Sequence, residues 1–220
     1  VSRDAVIARI RAARYAGLPG PVREHAPQAY QAGAAGAPPE PEPSRADRAR
    51  VLFVERAQDV GMRVEIAASV NEAAERAAGL CIERAARRVA LWATPEVAAV
   101  SQRLRGAGIQ TLGPGAALAD VAQADLGVTG AEWGIAETAT LVLPAGPDRP
   151  RLTSLLPPVH VAVLHAVRIL PDLPALFARV GTLPPALTLI TGPSRSADIG
   201  LVPVVGAHGP IEVIVVLVTQ

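Results

Sequence analysis

The sequence predicts an α/β fold: a three-layer, open, mostly parallel twisted sheet with helices on both faces and at least one antiparallel edge strand. Three observations carry this prediction. From Ser44 to about residue 130, short apolar strands alternate with Ala-rich amphipathic stretches, the rhythm of βαβ units. After Thr138 the helices thin out and strands are separated by Pro- and Gly-rich loops, which suits antiparallel pairing. The run Ile211–Val218 is apolar at all but one position, as a central strand buried on both faces requires.

The elements follow in order. Ser2–Tyr15 reads as a short helix, with Ser2 as cap, Asp4 in the first turn and Val6, Ile7 and Ile10 on one stripe. Residues 17–43 hold seven Pro and four Gly, a linker composition. Ser44 with Asp47 starts a helix that Gly61 stops near Val60. Arg63–Ala67 is a strand, and Ser69 or Asn71 caps a helix to about Ala86. Its acidic residues lie early and its Arg residues late, as the helix dipole prefers. Val89–Ala93 is a strand, and Pro95 opens a helix that Gly106 and Gly108 close. Short strands follow at 110–112 and 126–129. Thr138–Leu143, Val159–Leu164, Ala186–Ile190 and Ile211–Val218 complete the strands, with one helix near Asp172–Val180. The organisation is thus an N-terminal helix (1–16), a linker (17–43) and an α/β domain (44–220).

Composition excludes several chemistries. All 21 basic residues are Arg, so a lysine Schiff base, a P-loop lysine and a lysine base are ruled out. A net charge of +1 gives no electrostatic case for nucleic acid or for an anionic membrane. With Cys81 alone, the chain forms no internal disulfide and holds no four-cysteine iron–sulfur cluster. Its setting, Gly79–Glu83, marks Cys81 as a small core residue. His25, His160, His165 and His208 show no metal-ligand spacing. With no secretory leader and no span-length apolar run, a cytoplasmic protein without membrane insertion is expected.

Three polar clusters interrupt the apolar strands of the second half. Hydroxyl and charged groups at strand ends are costly unless paired, about 1–3 kcal/mol for each buried orphan. A polar, anion-binding crevice beyond the carboxyl ends of the strands is therefore expected. The third cluster, Thr191-Gly-Pro-Ser-Arg-Ser-Ala-Asp198, supplies Thr191, Gly192, Ser194, Arg195, Ser196 and Asp198. Its hydroxyls, glycine and planar guanidinium suit a carboxylate or phosphate; alternatively, Arg195 and Asp198 pair across a tight turn. In the first cluster Glu137 precedes a strand whose alternation sets Thr138 and Thr140 on one face. Beside that strand Glu137 is expected to be desolvated, serving as base, nucleophile or acceptor for backbone N–H groups. Glu132 and Trp133 lie on a short connecting turn. The second cluster, Pro144–Pro158, is a stiff loop with five prolines that presents Arg149, Arg151, Thr153 and Ser154. Its arginines bind substrate or pair with Asp148 and the acids of the first cluster. His160 points either into the crevice or between layers, and His208 lies in the turn before the last strand.

The segments Ile135-Ala-Glu-Thr-Ala-Thr-Leu141, Arg149-Pro-Arg-Leu-Thr-Ser-Leu-Leu-Pro-Pro-Val-His160, Ile190-Thr-Gly-Pro-Ser-Arg-Ser-Ala-Asp-Ile199 and Gly206-Ala-His-Gly-Pro210 together resemble the lactate utilization protein C family. The resemblance is strong from about residue 126 and extends weakly to the opening helix. The family usually reads Glu-Thr-Gly-Thr where this chain has Glu137-Thr-Ala-Thr140, so an alanine stands where the family's glycine allows a positive backbone angle. The resemblance implies a fold similar to the glucosamine-phosphate isomerase, ribose-phosphate isomerase and CoA-transferase superfamily. It also implies a part in oxidising L-lactate to pyruvate with two iron–sulfur partner proteins. The reading that follows is a non-redox subunit whose crevice binds a small carboxylate or a cofactor of unknown identity. Two alternatives stand beside it: an acyl-CoA or sugar-phosphate enzyme using Glu137, and a purely structural assembly factor with residues 1–43 as a docking arm.

Overall fold

The computed structural model describes residues 44–180, 184–197, 203–206 and 208–220. The helix expected at 1–16, the linker at 17–43 and Asp198 lie outside the described residues. Helix α1 (Arg45–Asp59) starts at Ser44, whose hydroxyl accepts from the Asp47 N–H. Strand β1 (Arg63–Ala67) follows. Helix α2 (Val70–Glu83) then opens with a reciprocal cap, Ser69 accepting from the Glu72 N–H while the Glu72 carboxylate accepts from the Ala68 N–H. Its small buried face, Ala73, Ala74, Ala77, Ala78 and Cys81, lets it lie close to the sheet. It ends three residues before the expected boundary because Ala85 turns left-handed (φ 50°). Burial pushes the Cys81 thiol up to about 12, which keeps it an inert core group.

Strand β2 (Arg88–Leu91), helix α3 (Pro95–Gly106), strand β3 (Gln110–Leu112), helix α4 (Leu118–Ala122) and strand β4 (Leu126–Ala131) complete the alternating half. Strands β5 (Trp133–Ile135) and β6 (Thr140–Pro144) then form a hairpin, and a 3-10 turn covers Arg151–Ser154. Next come β7 (Val159–His165), β8 (Ile169–Leu170), α5 (Leu173–Arg179), β9 (Leu187–Ile190), β10 (Arg195–Ala197), β11 (Pro203–Val205) and β12 (Glu212–Val218).

The main sheet has six strands in the order β1-β12-β7-β4-β2-β3, every neighbouring pair parallel. Strand β12 lies between β1 and β7, and Val213–Val218 are all buried. Fully burying one such aliphatic side chain stabilises by about 1.5–3 kcal/mol, so this strand anchors the core. The chain steps outward from β2 to β3 and returns to β4 on the other side of β2. Helix α3 packs through Val97, Val100 and Leu104 on the face of Val89 and Leu91, while Val121 of α4 packs against Ala90 on the opposite face.

A second sheet, ordered β8-β5-β6-β9, is mixed: β8 and β5 are parallel, while β5–β6 and β6–β9 are antiparallel, with β9 as its antiparallel edge. Its inner side, including Leu141, Leu143 and Ile190, joins the main core; Ile135, Val142 and Leu170 face Leu176 of α5. This second sheet shares one face of the main sheet with α1. A third pair, β10 and β11, is antiparallel.

Two close approaches fix the loops. Gly127 of β4 faces the backbone of the 3-10 turn, so that a Cβ there would run into the Thr153 carbonyl oxygen. In the β5–β6 hairpin, Ala139 occupies the left-handed region (φ 52°), which a glycine would adopt without strain. Opposite Gly127 in the register, His160 of β7 is fully buried, with Nε2 2.8 Å from the Thr129 hydroxyl of β4 and Nδ1 without a partner. Burial lowers its pKa from 6.5 to about 4, so the ring is neutral at neutral pH.

Three measurements test this description. Replacing Ala139 with Gly relieves the left-handed strain, partly offset by glycine's unfolded-state entropy, and should raise unfolding free energy in urea by about 0.5–1 kcal/mol. Replacing Gly127 with Ala should cost about 1–3 kcal/mol or more, because the obstacle is backbone. The unfolded chain protonates His160 before the folded one does. Stability should therefore fall as pH drops from about 6.5 towards 4, by roughly 3 kcal/mol in all. His160→Gln should flatten that limb of the urea-midpoint profile; an unchanged slope would show that other groups set it.

Candidate functional site

The turn Ala136–Ala139 joins β5 to β6, and strand β6 begins at Thr140, two residues later than expected. Glu137 and Thr138 therefore lie in the turn. The Glu137 N–H donates to the Pro171 carbonyl, while its side chain is exposed and makes no ion pair or hydrogen bond with a described residue. The desolvated setting expected for Glu137 is absent.

A line of hydroxyls leads inward from this turn. Thr138 Oγ1 lies 2.7 Å from Thr140 Oγ1, which lies 2.6 Å from Thr191 Oγ1. The contact arises because β6 pairs antiparallel with β9, setting Leu141 opposite Ile190 and so Thr140 beside Thr191. At Gly192 (φ 88°) the chain turns under α1; a Cβ would sit 2.7 Å from the Val60 carbonyl oxygen. Ser194 is then tied three ways. Its N–H donates to Pro210 O, its carbonyl accepts from Gly206 N–H, and its hydroxyl accepts from His208 N–H at 3.2 Å. Thr191, Gly192, Ser194 and His208 line one open cavity of about 200 Å³, with Leu155 and Pro210 as apolar walls.

Arg195 opens β10, and its exposed guanidinium lies over Gly61, where a Cβ would stand 2.5 Å from Nη2. It forms no ion pair with a described residue. Ser196 pairs with Val204 through the β10–β11 ladder.

This cluster follows the carboxyl end of β9, as expected, but β9 belongs to the second sheet. In the main sheet the cluster sits at the amino ends of the strands: Arg195 covers Gly61, two residues before β1, and Ser194 bonds Pro210 just ahead of β12. A parallel sheet separates its two ends, so the other predicted residues do not all join it. Arg151 is exposed on the 3-10 turn, and buried Ser154 donates to the Arg151 carbonyl. His160 lies between layers within the sheet, away from open space.

At the carboxyl ends a second polar group forms. Glu132, just after β4, pairs with Arg149 at 2.8 Å and with Arg168. The Arg149 guanidinium lies 5.9 Å from the centre of the Trp92 ring, and the Trp92 indole N–H donates to Pro150 O. The second-cluster loop is thus tied down by an acid of the first cluster, one of the two outcomes expected for its arginines. Thr94 caps α3 without a side-chain bond, and its buried hydroxyl has no partner. Sequence reading passed over Thr94; the signal was Thr94-Pro95-Glu96 directly after a strand. Among the described residues no group of three or more His, Cys, Asp or Glu is placed to hold a metal ion, and no helix is long and apolar enough to cross a membrane.

Comparison with known proteins agrees with this architecture. Lactate utilization protein C of Exiguobacterium sp. is 40% identical over 103 residues, 44% of this chain and 45% of that protein. Its counterpart in Bacillus subtilis is 38% identical over 105 residues, 44% of each chain. The matched part of the chain thus spans less than half the length of these relatives. An uncharacterized protein of Escherichia coli, YkgG, is 33% identical over 180 residues, 76% of this chain and 78% of that one. A crystal structure of a DUF162 family protein from Deinococcus radiodurans superposes with a TM-score of 0.56 at 25% identity, covering 80% of this chain and 99% of the other. The LUD domain family model matches residues 51–218, and the chain belongs to that family.

Proposed function

We propose that this protein is a non-redox component of a lactate-utilizing system, and that its cavity beside Arg195 binds a small carboxylate. The observation that carries the reading is the set Thr191, Ser194 and His208 around one cavity; Arg195 follows Ser194 in the chain, its exposed guanidinium over Gly61 and without an ion pair among the described residues. A 2-hydroxy or 2-keto acid presents a carboxylate for a guanidinium and a second oxygen for hydroxyl donors, the chemistry this group offers. At about 200 Å³ the space is below the range typical of drug-sized ligands and suits a molecule of few heavy atoms. The names of the relatives, lactate utilization protein C, support the choice of acid.

The redox step belongs to partners in this proposal. The chain's single cysteine is buried, and four thiolates are needed for an ordinary iron–sulfur cluster. Iron–sulfur proteins acting alongside would carry the electrons. The role of this chain is to hold and present the acid. Ser194, whose hydroxyl already accepts from His208 N–H, keeps its own proton for the ligand.

Calorimetric titration with L-lactate and pyruvate tests the site. Arg195→Ala should weaken binding by at least about tenfold, since a charge-assisted hydrogen bond contributes about 1.5–3 kcal/mol. Glu137→Gln should leave the affinity unchanged, because that carboxylate is exposed in the hairpin turn. Binding of neither acid, or equal affinity in Arg195→Ala, would remove the site. Co-purification with cysteine-rich iron–sulfur proteins checks the partner half independently.

A further inference from the structure

The main sheet ends in two edge strands, and β1 is the longer, five residues against three in β3. In a parallel ladder alternate residues turn both backbone groups to the same side. The Ala67 carbonyl accepts from the Thr219 N–H just beyond β12, so Arg63, Glu65 and Ala67 face β12 while Val64 and Ile66 face outward. No described residue takes the outward N–H and C=O groups of Val64 and Ile66. Exposed edges are ordinarily blunted by unpaired charge, by proline, by a bulge or by a covering element. Strand β1 has an unbroken register and no proline, and its two charged side chains, Arg63 and Glu65, pair with each other.

An apolar groove of about 460 Å³ runs between β1 and α1 on the face of Ile66. Val51 and Ile66, 52% and 47% exposed, lie in its wall beside half-buried Val54. Its charged lining residues, Arg50 and Glu55, are opposite in sign. The other face of β1 carries Arg63 and Glu65, the latter also 3.7 Å from Arg76 of α2. The edge thus offers unmade backbone hydrogen bonds, with an apolar stripe on one side and one charge of each sign on the other.

We infer that β1 is a dimerisation edge, pairing antiparallel with β1 of a second copy of this chain about a two-fold axis. Charge complementarity selects the second copy. Two-fold pairing of identical strands is antiparallel, and two central registers are open to the outward-facing residues. Centred on Glu65, the pairing sets the two Glu65 carboxylates directly opposite each other. Centred on Val64, it sets Arg63 of each copy opposite Glu65 of the other. Opposite charges facing across a ladder stabilise it and like charges destabilise it, so Arg63-Val64-Glu65 is its own complement in the Val64 register. There the two Val64 residues exchange N–H and C=O bonds, and each Ile66 N–H reaches the other copy's Met62 carbonyl. On the opposite face the two α1 helices come together and cover Val51 and Ile66. The contact is isologous and closes at two copies, joining two six-stranded sheets into one continuous sheet. It does not depend on the lactate reading.

The experiment is sedimentation velocity on the full chain over a wide concentration range, where a reversible dimer is expected. Ile66→Lys puts a charge where the second copy packs, on a side chain already half-exposed. It should weaken dimerisation at least about tenfold and leave the far-ultraviolet circular dichroism unchanged. Arg63→Glu and Glu65→Lys should each sediment as monomers alone, because each sets like charges opposite one another. Mixing the two should restore the dimer, since every facing pair is then of opposite sign. Val64→Cys, on the axis, should form an inter-chain disulfide on mild oxidation, because hydrogen-bonded antiparallel residues stand about 5.5 Å apart at Cα. The native Cys81 is buried and adds no cross-link. The inference is overturned if the chain is a monomer throughout, if Ile66→Lys dimerises as the parent does, if the folded Arg63→Glu and Glu65→Lys chains stay monomeric when mixed, or if Val64→Cys fails to cross-link.

Discussion

Strand β12 must find hydrogen-bond partners on both sides and apolar cover on both faces, and the rest of the molecule is arranged around that need. Its backbone is paired with β1 along one edge and with β7 along the other, over seven residues in the latter case. The partners come from the beginning and the middle of the described chain, so the sheet closes only when the last segment inserts. No local propensity would hold Ile-Val-Val-Leu-Val in place in water; what holds it is burial between layers, α2 on one side and the α1 and second-sheet layer on the other.

A sheet whose six strands all point the same way has two chemically different ends. Loops at the amino ends and loops at the carboxyl ends cannot share a site without crossing the core. That geometry sorts the polar residues of this chain into two groups. Thr138, Thr140, Thr191, Ser194 and His208 gather where the second sheet's β9 delivers its loop to the amino ends of β1 and β12. Glu132, Arg149, Arg168, Trp92 and Thr94 gather at the carboxyl ends. Beside the first group, the Arg195 guanidinium has no carboxylate partner among the described residues. In the second, Arg149 and Arg168 both pair with Glu132, and the buried Thr94 hydroxyl is left over. The difference matters because an ion pair that is already made stabilises a loop, while an unmade one is available to a ligand.

Backbone conformation at two alanines records the same economy. Ala85 and Ala139 both take left-handed angles at positions where glycine is the usual solution. Each sits at a reversal that the surrounding structure over-determines: the end of α2 returning to β2, and the β5–β6 hairpin carrying Thr138 to Thr140. The hairpin keeps its geometry despite the methyl because β6 is pinned by β9 on its other edge.

The sequence by itself determined the periodic elements. Caps at Ser44 and Ser69, Pro95 at the start of α3, the strand at Arg63–Ala67 and the apolar run at the C-terminus are local signals, and each of these elements lies within a few residues of where those signals set it. The hydroxyl and arginine content of the three clusters was also visible there. What only the tertiary structure decided is which strand goes into which sheet, and therefore which end of the molecule each loop faces. Val159–His165 and Leu187–Ile190 look alike as short apolar strands, yet β7 joins the parallel sheet and β9 the antiparallel one. That choice rests on pairing between segments far apart in the chain, and a strand's own residues carry no mark of its partner. It is why Thr191 and Arg195 came to the amino ends and why His160 was sealed between layers.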